Sequence, residues 1–138
     1  MVMSGVRGTY LLDTCVCIAL IKKTPSVVEH IRRVGIDECK ISVVTLAELY
    51  FGAYKSGQKK HFEDVEIIKS LFEQYDISDS LKEYGDIRWQ LERFGMKIDH
   101  LDMLIGATAL HENLIVITGN TKHFERIPNL QIENWMED

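Results

Sequence analysis

No apolar run in this chain of 138 residues approaches the roughly 18 residues that a membrane-spanning helix requires. The opening MVMSGVRG lacks the charged head and apolar stretch of a secretory signal. Proline is scarce, with only Pro25 and Pro128, and no Pro/Gly-rich linker, repeat or low-complexity tract divides the sequence, so a single domain over 1–138 is expected. Cysteine is scarce and odd in number. Without a secretory signal, Cys15, Cys17 and Cys39 are expected to be reduced thiols in a soluble, cytoplasmic protein rather than parts of a disulfide framework. Positive charge is not in excess either: at a formal net charge of −5, the surface as a whole does not attract polyanions, and any nucleic acid must be held by local basic patches or bound cations.

What is present is an alternation of short strand-like runs and helical periods in a chain that is 46% hydrophobic. Tyr10 to Leu12 reads as a strand that stops on Asp13, followed by a short helix from Thr14 to Ile21. Thr24 and Pro25 supply an N-cap and a proline at the first helical position, opening a helix to about Val34. KISVV, from Lys40 to Val44, predicts a second strand, and Thr45 opens a helix through Leu46, Leu49, Tyr50 and Ala53. Phe62, Val65, Ile68, Leu71 and Phe72 mark an amphipathic helix, and Tyr75 to Ile77 a short strand. Asp79 to Phe94 carries the stripe Leu81, Tyr84, Ile87, Leu91 and Phe94, closed by Gly95 as a C-cap. DHLDMLIGATAL is apolar nearly all round and predicts a buried helix, LIVIT a fully apolar strand, and LQIENW a final edge strand. Strands alternating with helices imply a three-layer α/β fold, a mainly parallel central sheet of four to five strands flanked by helices.

Ligands of such sheets bind beyond the carboxyl ends of the strands, so polar residues at those junctions carry the functional information. Asp13 follows the first strand, Glu48 lies on the first turn after KISVV, Asp102 on the first turn of the buried helix, and Asn120 follows LIVIT with Thr118 just before it. Each has a structural alternative. Thr45 to Glu48 fits the capping-box spacing, Asp99 and Asp102 fit it more loosely, and Asn120 is a good turn residue. A cap, however, needs one acid per helix, whereas here oxygen ligands stand at several junctions that the topology brings together. Gathering anions costs free energy unless a cation offsets them, and hard oxygen ligands select Mg²⁺ or Mn²⁺.

These stretches resemble the motifs of the PIN-domain ribonucleases, most closely the VapC-type toxins of bacterial toxin–antitoxin pairs. LLDTCVCIALIK is similar to the family's opening LLDTN motif, ISVVTLAELYFGA to its second, GMKIDHLDMLIGATAL to its third and VITGNTKHFERIPNLQIENW to its closing motif and strand. The resemblance covers nearly the whole chain and implies a PIN-like (5′-nuclease-like) fold. It further implies metal-dependent RNA hydrolysis with Asp13, Glu48 and Asp102 as ligands of Mg²⁺ or Mn²⁺, Asn120 as a fourth catalytic position, Asp99 as a further ligand or a helix cap, and Thr14 and Thr118 as supporting hydroxyls. The implied partners are an RNA substrate such as a tRNA, a second copy of the chain in a homodimer, and a small VapB-like antitoxin lying in the groove near the acids. Two departures stand out: Cys15 replaces the usual Asn after Asp-Thr, and His123 sits where many relatives carry an acid.

Lys59 and Lys60 are candidate RNA contacts, and Lys22, Lys23, Arg32, Arg33 and Lys55 form further basic positions, all equally explained by lysine and arginine favouring helix ends; Arg88, between Ile87 and Trp89, is a candidate for RNA phosphate or for an internal acid. Trp89, Phe94, Phe51 and Tyr54 have the spacing of core aromatics or of a partner surface. Cys15 and Cys17, which occupy the second Asp and the Thr, argue against a phosphatase using an aspartyl nucleophile in D-x-D-x-T. A receiver domain lacks its mid-sequence acceptor Asp, and a metal–thiolate site lacks enough converging cysteines. A binding module without catalysis remains the alternative to the nuclease.

Overall fold

The computed structural model describes residues 9–137, so the MVMSGVRG segment lies outside the described residues. Strand β1 (Tyr10–Leu12) leads through Asp13 into α1 (Thr14–Ile21) and α2 (Pro25–Val34), then β2 (Cys39–Ser42), α3 (Val43–Ser56), α4 (Lys59–Leu71) and β3 (Glu73–Tyr75). The second half runs α5 (Leu81–Arg93), α6 (His100–Glu112), β4 (Ile115–Ile117), α7 (Thr121–Phe124) and β5 (Ile132–Glu133). The five strands lie in the order β3-β2-β1-β4-β5, and every pairing is parallel. The chain leaves β1 toward β2 and returns on its other side as β4, so the topological switch point falls between β1 and β4.

Strand alternation splits the core between the two faces of the sheet. Leu12 and Ile117 point into a cluster with Val16, Val27, Leu49, Ile68 and Trp135, contributed largely by α1 to α4. Leu11 and Val116 point the other way, to Ile87, Leu91, Met103, Ile105 and Phe124 of α5, α6 and α7. These residues are buried, and the all-parallel sheet covered on both faces accounts for strands without polar alternation. Among the described residues no helix is long and apolar enough to cross a membrane.

Several boundaries differ from the sequence reading for identifiable reasons. The strand expected at Lys40 to Val44 ends at Ser42, because the Ser42 hydroxyl accepts from the Val44 amide at 3.0 Å and caps α3 there. Thr45 is therefore fully buried inside the first turn, not a cap, and the capping-box pairing of Thr45 with Glu48 does not exist. The third strand lies at Glu73–Tyr75 instead of 75–77, α5 starts at Leu81 after a 3₁₀ turn at Ser78–Ser80, and α7 is an unanticipated single turn. Of the four aromatics weighed as core, none is buried: Phe51, Tyr54, Trp89 and Phe94 are all exposed.

Candidate active site

Asp13 stands where β1 ends and is the N-cap of α1, yet it is only 5% exposed. The Thr14 amide donates to its Oδ1 at 2.8 Å and the Thr118 hydroxyl to its Oδ2 at 2.8 Å, so neighbouring strand ends hold both oxygens. Thr118 also accepts from the Asn120 amide at 2.9 Å, fixing the turn after β4. The Cys15 sulfur lies 3.6 Å from Asp13 Oδ2 and accepts from the Gly119 amide at 3.3 Å. Cys15 thus occupies a bridging position between the two central strand ends. Burial pushes its thiol above the ordinary range, which keeps it neutral beside the carboxylate.

Glu48 reaches the same crest from the second turn of α3, where the Thr14 hydroxyl donates to its Oε1 at 2.6 Å. Asp102 comes from the first turn of α6, on the opposite helical layer. Its Oδ2 lies 3.5 Å from Nδ1 of His123, which in turn is 2.8 Å from the Asn120 Nδ2. With the amide nitrogen facing it, Nδ1 accepts and has no proton for Asp102; with the amide turned over, a protonated Nδ1 donates to the Asn120 oxygen, and Asp102 Oδ2 is the more distant acceptor. Asp99 caps α6, accepting from the Leu101 amide at 3.3 Å.

The carboxylates perturb one another. Burial raises the Asp13 carboxyl above its usual range, opposed by its hydrogen bonds from Thr118, Thr14 and Cys15. Burial also raises Glu48, with the charges of Asp13 and Asp99 adding to it. Asp102 is pushed up to about 6 by burial and then by Asp13, Asp99 and Glu48, while His123 opposes the shift. Such mutual destabilisation among hard oxygen donors is the condition that a hard divalent cation relieves. Among the described residues no three His, Cys, Asp or Glu side chains stand close enough to grip an ion unaided. In chemistry the donors are all carboxylate oxygens, the type that a hard divalent cation keeping much of its own water takes.

The remaining basic candidates divide. Arg88 donates to Glu92 at 2.9 Å and to the Tyr84 hydroxyl at 3.3 Å, so its charge is already engaged. Arg32 pairs with Glu29, and Arg32, Arg33 and Lys55 sit in last helical turns, where the dipole favours them. Lys59 and Lys60 are different: they open α4, at the end where the dipole disfavours a cation. Lys60 also lines a cleft of about 370 Å³ together with Lys22, Glu48, Gly52, His61 and Asp64.

A family model described as the PIN domain matches residues 10–130, which takes in the four acids, Asn120 and His123. The chain belongs to the PIN-domain family. Within that family it is 38% identical over 130 residues to Ribonuclease VapC2 of Rickettsia felis, covering 91% of this chain and 97% of that protein. It is also 38% identical over 132 residues to the tRNA(fMet)-specific endonuclease VapC of Salmonella typhimurium, with the same coverage of 91% and 97%. Its fold superposes with a TM-score of 0.84, at 36% identity and coverage of 91% and 98%, on the crystal structure of VapBC2 from Rickettsia felis bound to a DNA fragment from their promoter. The central parallel sheet between two helical layers is thus a PIN fold. Cys15 and His123 both stood out in the sequence as departures from the family motifs; that Cys15 joins Gly119 to Asp13 and that His123 faces Asp102 emerges only where β1, β4 and α6 meet.

Proposed function

We propose that this protein is a divalent-metal-dependent endoribonuclease, the toxin of a VapBC-type pair, hydrolysing phosphodiester bonds of a tRNA or another structured RNA. One observation carries this reading: at the switch point of a PIN fold the charge of Asp13, carried by the sheet, raises both Glu48 and Asp102, which come from the two helical layers, and Glu48 adds to the shift of Asp102. The similarity to proteins named ribonuclease and tRNA(fMet)-specific endonuclease supports RNA as the substrate class.

Asp13, Glu48 and Asp102 would hold one or two Mg²⁺ or Mn²⁺ ions, with Asp99 adding negative charge at the rim. The cation, when bound, supplies Lewis acidity to the scissile phosphate and the attacking water. Thr118 and Thr14 fix the orientations of Asp13 and Glu48 by donating to them, which aims the free lone pairs outward. His123 faces Asp102 from the turn after β4, with its ring held by Asn120. The Glu48-lined cleft between α1, α3 and α4 suits the C-terminal segment of a small VapB-like antitoxin, with a basic side chain turned toward the acids. A homodimer is the assembly proposed with it.

Cleavage of an RNA pool by the full chain in Mg²⁺ or Mn²⁺ tests the reading: loss of cleavage in EDTA, in Asp13→Ala and in Glu48→Ala is expected. Full metal-dependent activity in a purified, folded Asp13→Ala variant would overturn it. A binding module without catalysis draws on two observations, the neutral Asn120 and the thiol of Cys15 beside Asp13. That second reading requires both an absence of Mn²⁺ binding heat in calorimetry and an absence of cleavage.

A further inference from the structure

Four large apolar side chains around the end of α5 have little internal use: Trp89 is 62% exposed, Phe94 65%, Met96 43% and Leu101, on the first turn of α6, 37%. Arg93 reaches both aromatic rings, its guanidinium carbon 5.9 Å from the centre of Trp89 and 5.0 Å from that of Phe94. The backbone presents this group on a closed helix end. The Gly95 amide donates to the Glu92 carbonyl at 3.1 Å and the Met96 amide to the Leu91 carbonyl at 2.8 Å, with Gly95 left-handed at φ 69°, which together make a Schellman cap. Phe94 is therefore held on the cap itself.

Topology sets where the group lies. The two helices α5 and α6 pack together and are joined by a short loop, so the end of α5 shares one end of the fold with the start of α6, where Asp99 and Asp102 stand. The cations there are uncommitted: among the described residues Arg93, Lys97 and Arg126 make no ion pair. Arg126 donates to the Lys97 carbonyl at 2.7 Å, tying the segment after α7 to the same loop. A chain of net charge −5 thus concentrates flat aromatic faces and free cations beside its acidic site.

We propose that Trp89, Arg93 and Phe94 form a stacking platform for unpaired nucleotides of the RNA substrate, with Arg93, Lys97 and Arg126 taking the phosphates between it and Asp102; this rests on the nuclease reading of the acid site. Bases stack on aromatic and guanidinium planes whatever their identity, and cations alongside follow the backbone. The unpaired cations beside the rings favour a polyanion over a second copy of the chain as the occupant.

Fluorescence tests the platform directly, since the chain has two tryptophans and the other, Trp135, is 2% exposed and stacked on His30. The full chain carrying Asp102→Asn is titrated with a single-stranded oligoadenylate of about ten nucleotides and with an RNA duplex of equal length. Single strands are expected to quench Trp89 more than duplex. Read by the anisotropy of a fluorescein-labelled oligoadenylate, Trp89→Ala and Phe94→Ala should each weaken binding about tenfold without altering its salt dependence. Trp89→Phe should restore most of the affinity, and Arg93→Ala should lower the salt slope by about 0.7. Unchanged affinity in both alanine variants overturns the proposal, as does weakened binding that accompanies a shift from dimer to monomer in sedimentation, which assigns the patch to contact between copies. Cleavage of an RNA pool by the wild-type chain in Mn²⁺ is measured in parallel. Cleavage alongside unaltered binding in the variants removes the platform and leaves the nuclease; no cleavage removes the nuclease reading, while ring-dependent binding is still decided by its own titration.

Discussion

Replacing Asp102 by asparagine removes one negative charge from the crest while keeping the shape of the side chain, and its consequence for stability can be worked from the structure. The Asp102 side chain is 13% exposed, and burial together with Asp13, Asp99 and Glu48 pushes its carboxyl from an ordinary 3.8 up to about 6. A shift of that size disfavours the ionised fold by at most about 3 kcal/mol at neutral pH. Water at the rim of the site screens this to about 1–2 kcal/mol. Loss of the favourable interaction of a carboxylate with the α6 N-terminus takes back about 0.5 kcal/mol. Asp102→Asn should therefore stabilise the metal-free protein by about 1 kcal/mol, or about 3 °C in Tm for a chain of this size. A folded-state pKa raised above the unfolded value gives stability that is present at low pH and lost as pH rises through about 6. The gap between variant and wild type should accordingly be near zero at about pH 4, open toward pH 6 and level off above about pH 7. Thermal and urea unfolding in EDTA across this range measures it. Added Mn²⁺ should reverse the order, because only the wild type retains the full ligand set. A variant less stable than wild type at neutral pH in EDTA, with an unchanged m-value, or a gap that persists at about pH 4, refutes the electrostatic account.

Thr118→Val should act in the opposite sense, destabilising the fold by about 2 kcal/mol in urea unfolding, since it strips a buried carboxylate of a donor and leaves the Asn120 amide unpaired. Cys15→Asn replaces a weak sulfur acceptor and donor by an amide that can serve Gly119 and Asp13 together, and should tighten Mn²⁺ binding about tenfold in calorimetry; unchanged affinity would show that the thiol merely fills space. Lys59→Glu with Lys60→Glu should raise stability by about 0.5–1 kcal/mol by suiting the α4 dipole, while lowering RNA affinity in the same protein. A rise in stability with unaltered RNA binding would confine these lysines to other uses.

Much of the fold was legible because strand and helix periods differ. Leu11, Leu12, Ile115 to Ile117 and the apolar girth of 100–112 announced a buried parallel sheet and a central helix before any contact was known. Asp13 was legible for the converse reason, a charge set at the exit of an apolar strand. Local competition was harder to read. Ser42 and Thr45 are both good caps three residues apart, and which one starts α3 is decided by the sheet holding Ser42 in extended conformation. Phe94 follows the period of the α5 core stripe yet is exposed because it stands past the last turn, at the C-cap, whereas Trp89, two residues from both Ile87 and Leu91, lies on the opposite face. His123 escaped notice as a neighbour of Asp102 because α7 is a single turn, too short to carry a periodic signal.

The split of the core across the sheet has a further consequence for the crest. Asp13 is carried by the sheet, Glu48 by a helix bedded in one hydrophobic layer and Asp102 by a helix bedded in the other. The spacing of the three acids is therefore a readout of how thickly each layer is packed against the strands, as the gap of a calliper reads the object between its jaws. Substitutions deep in either layer, far from any substrate, can alter the chemistry by changing that gap while every residue at the crest stays as it was.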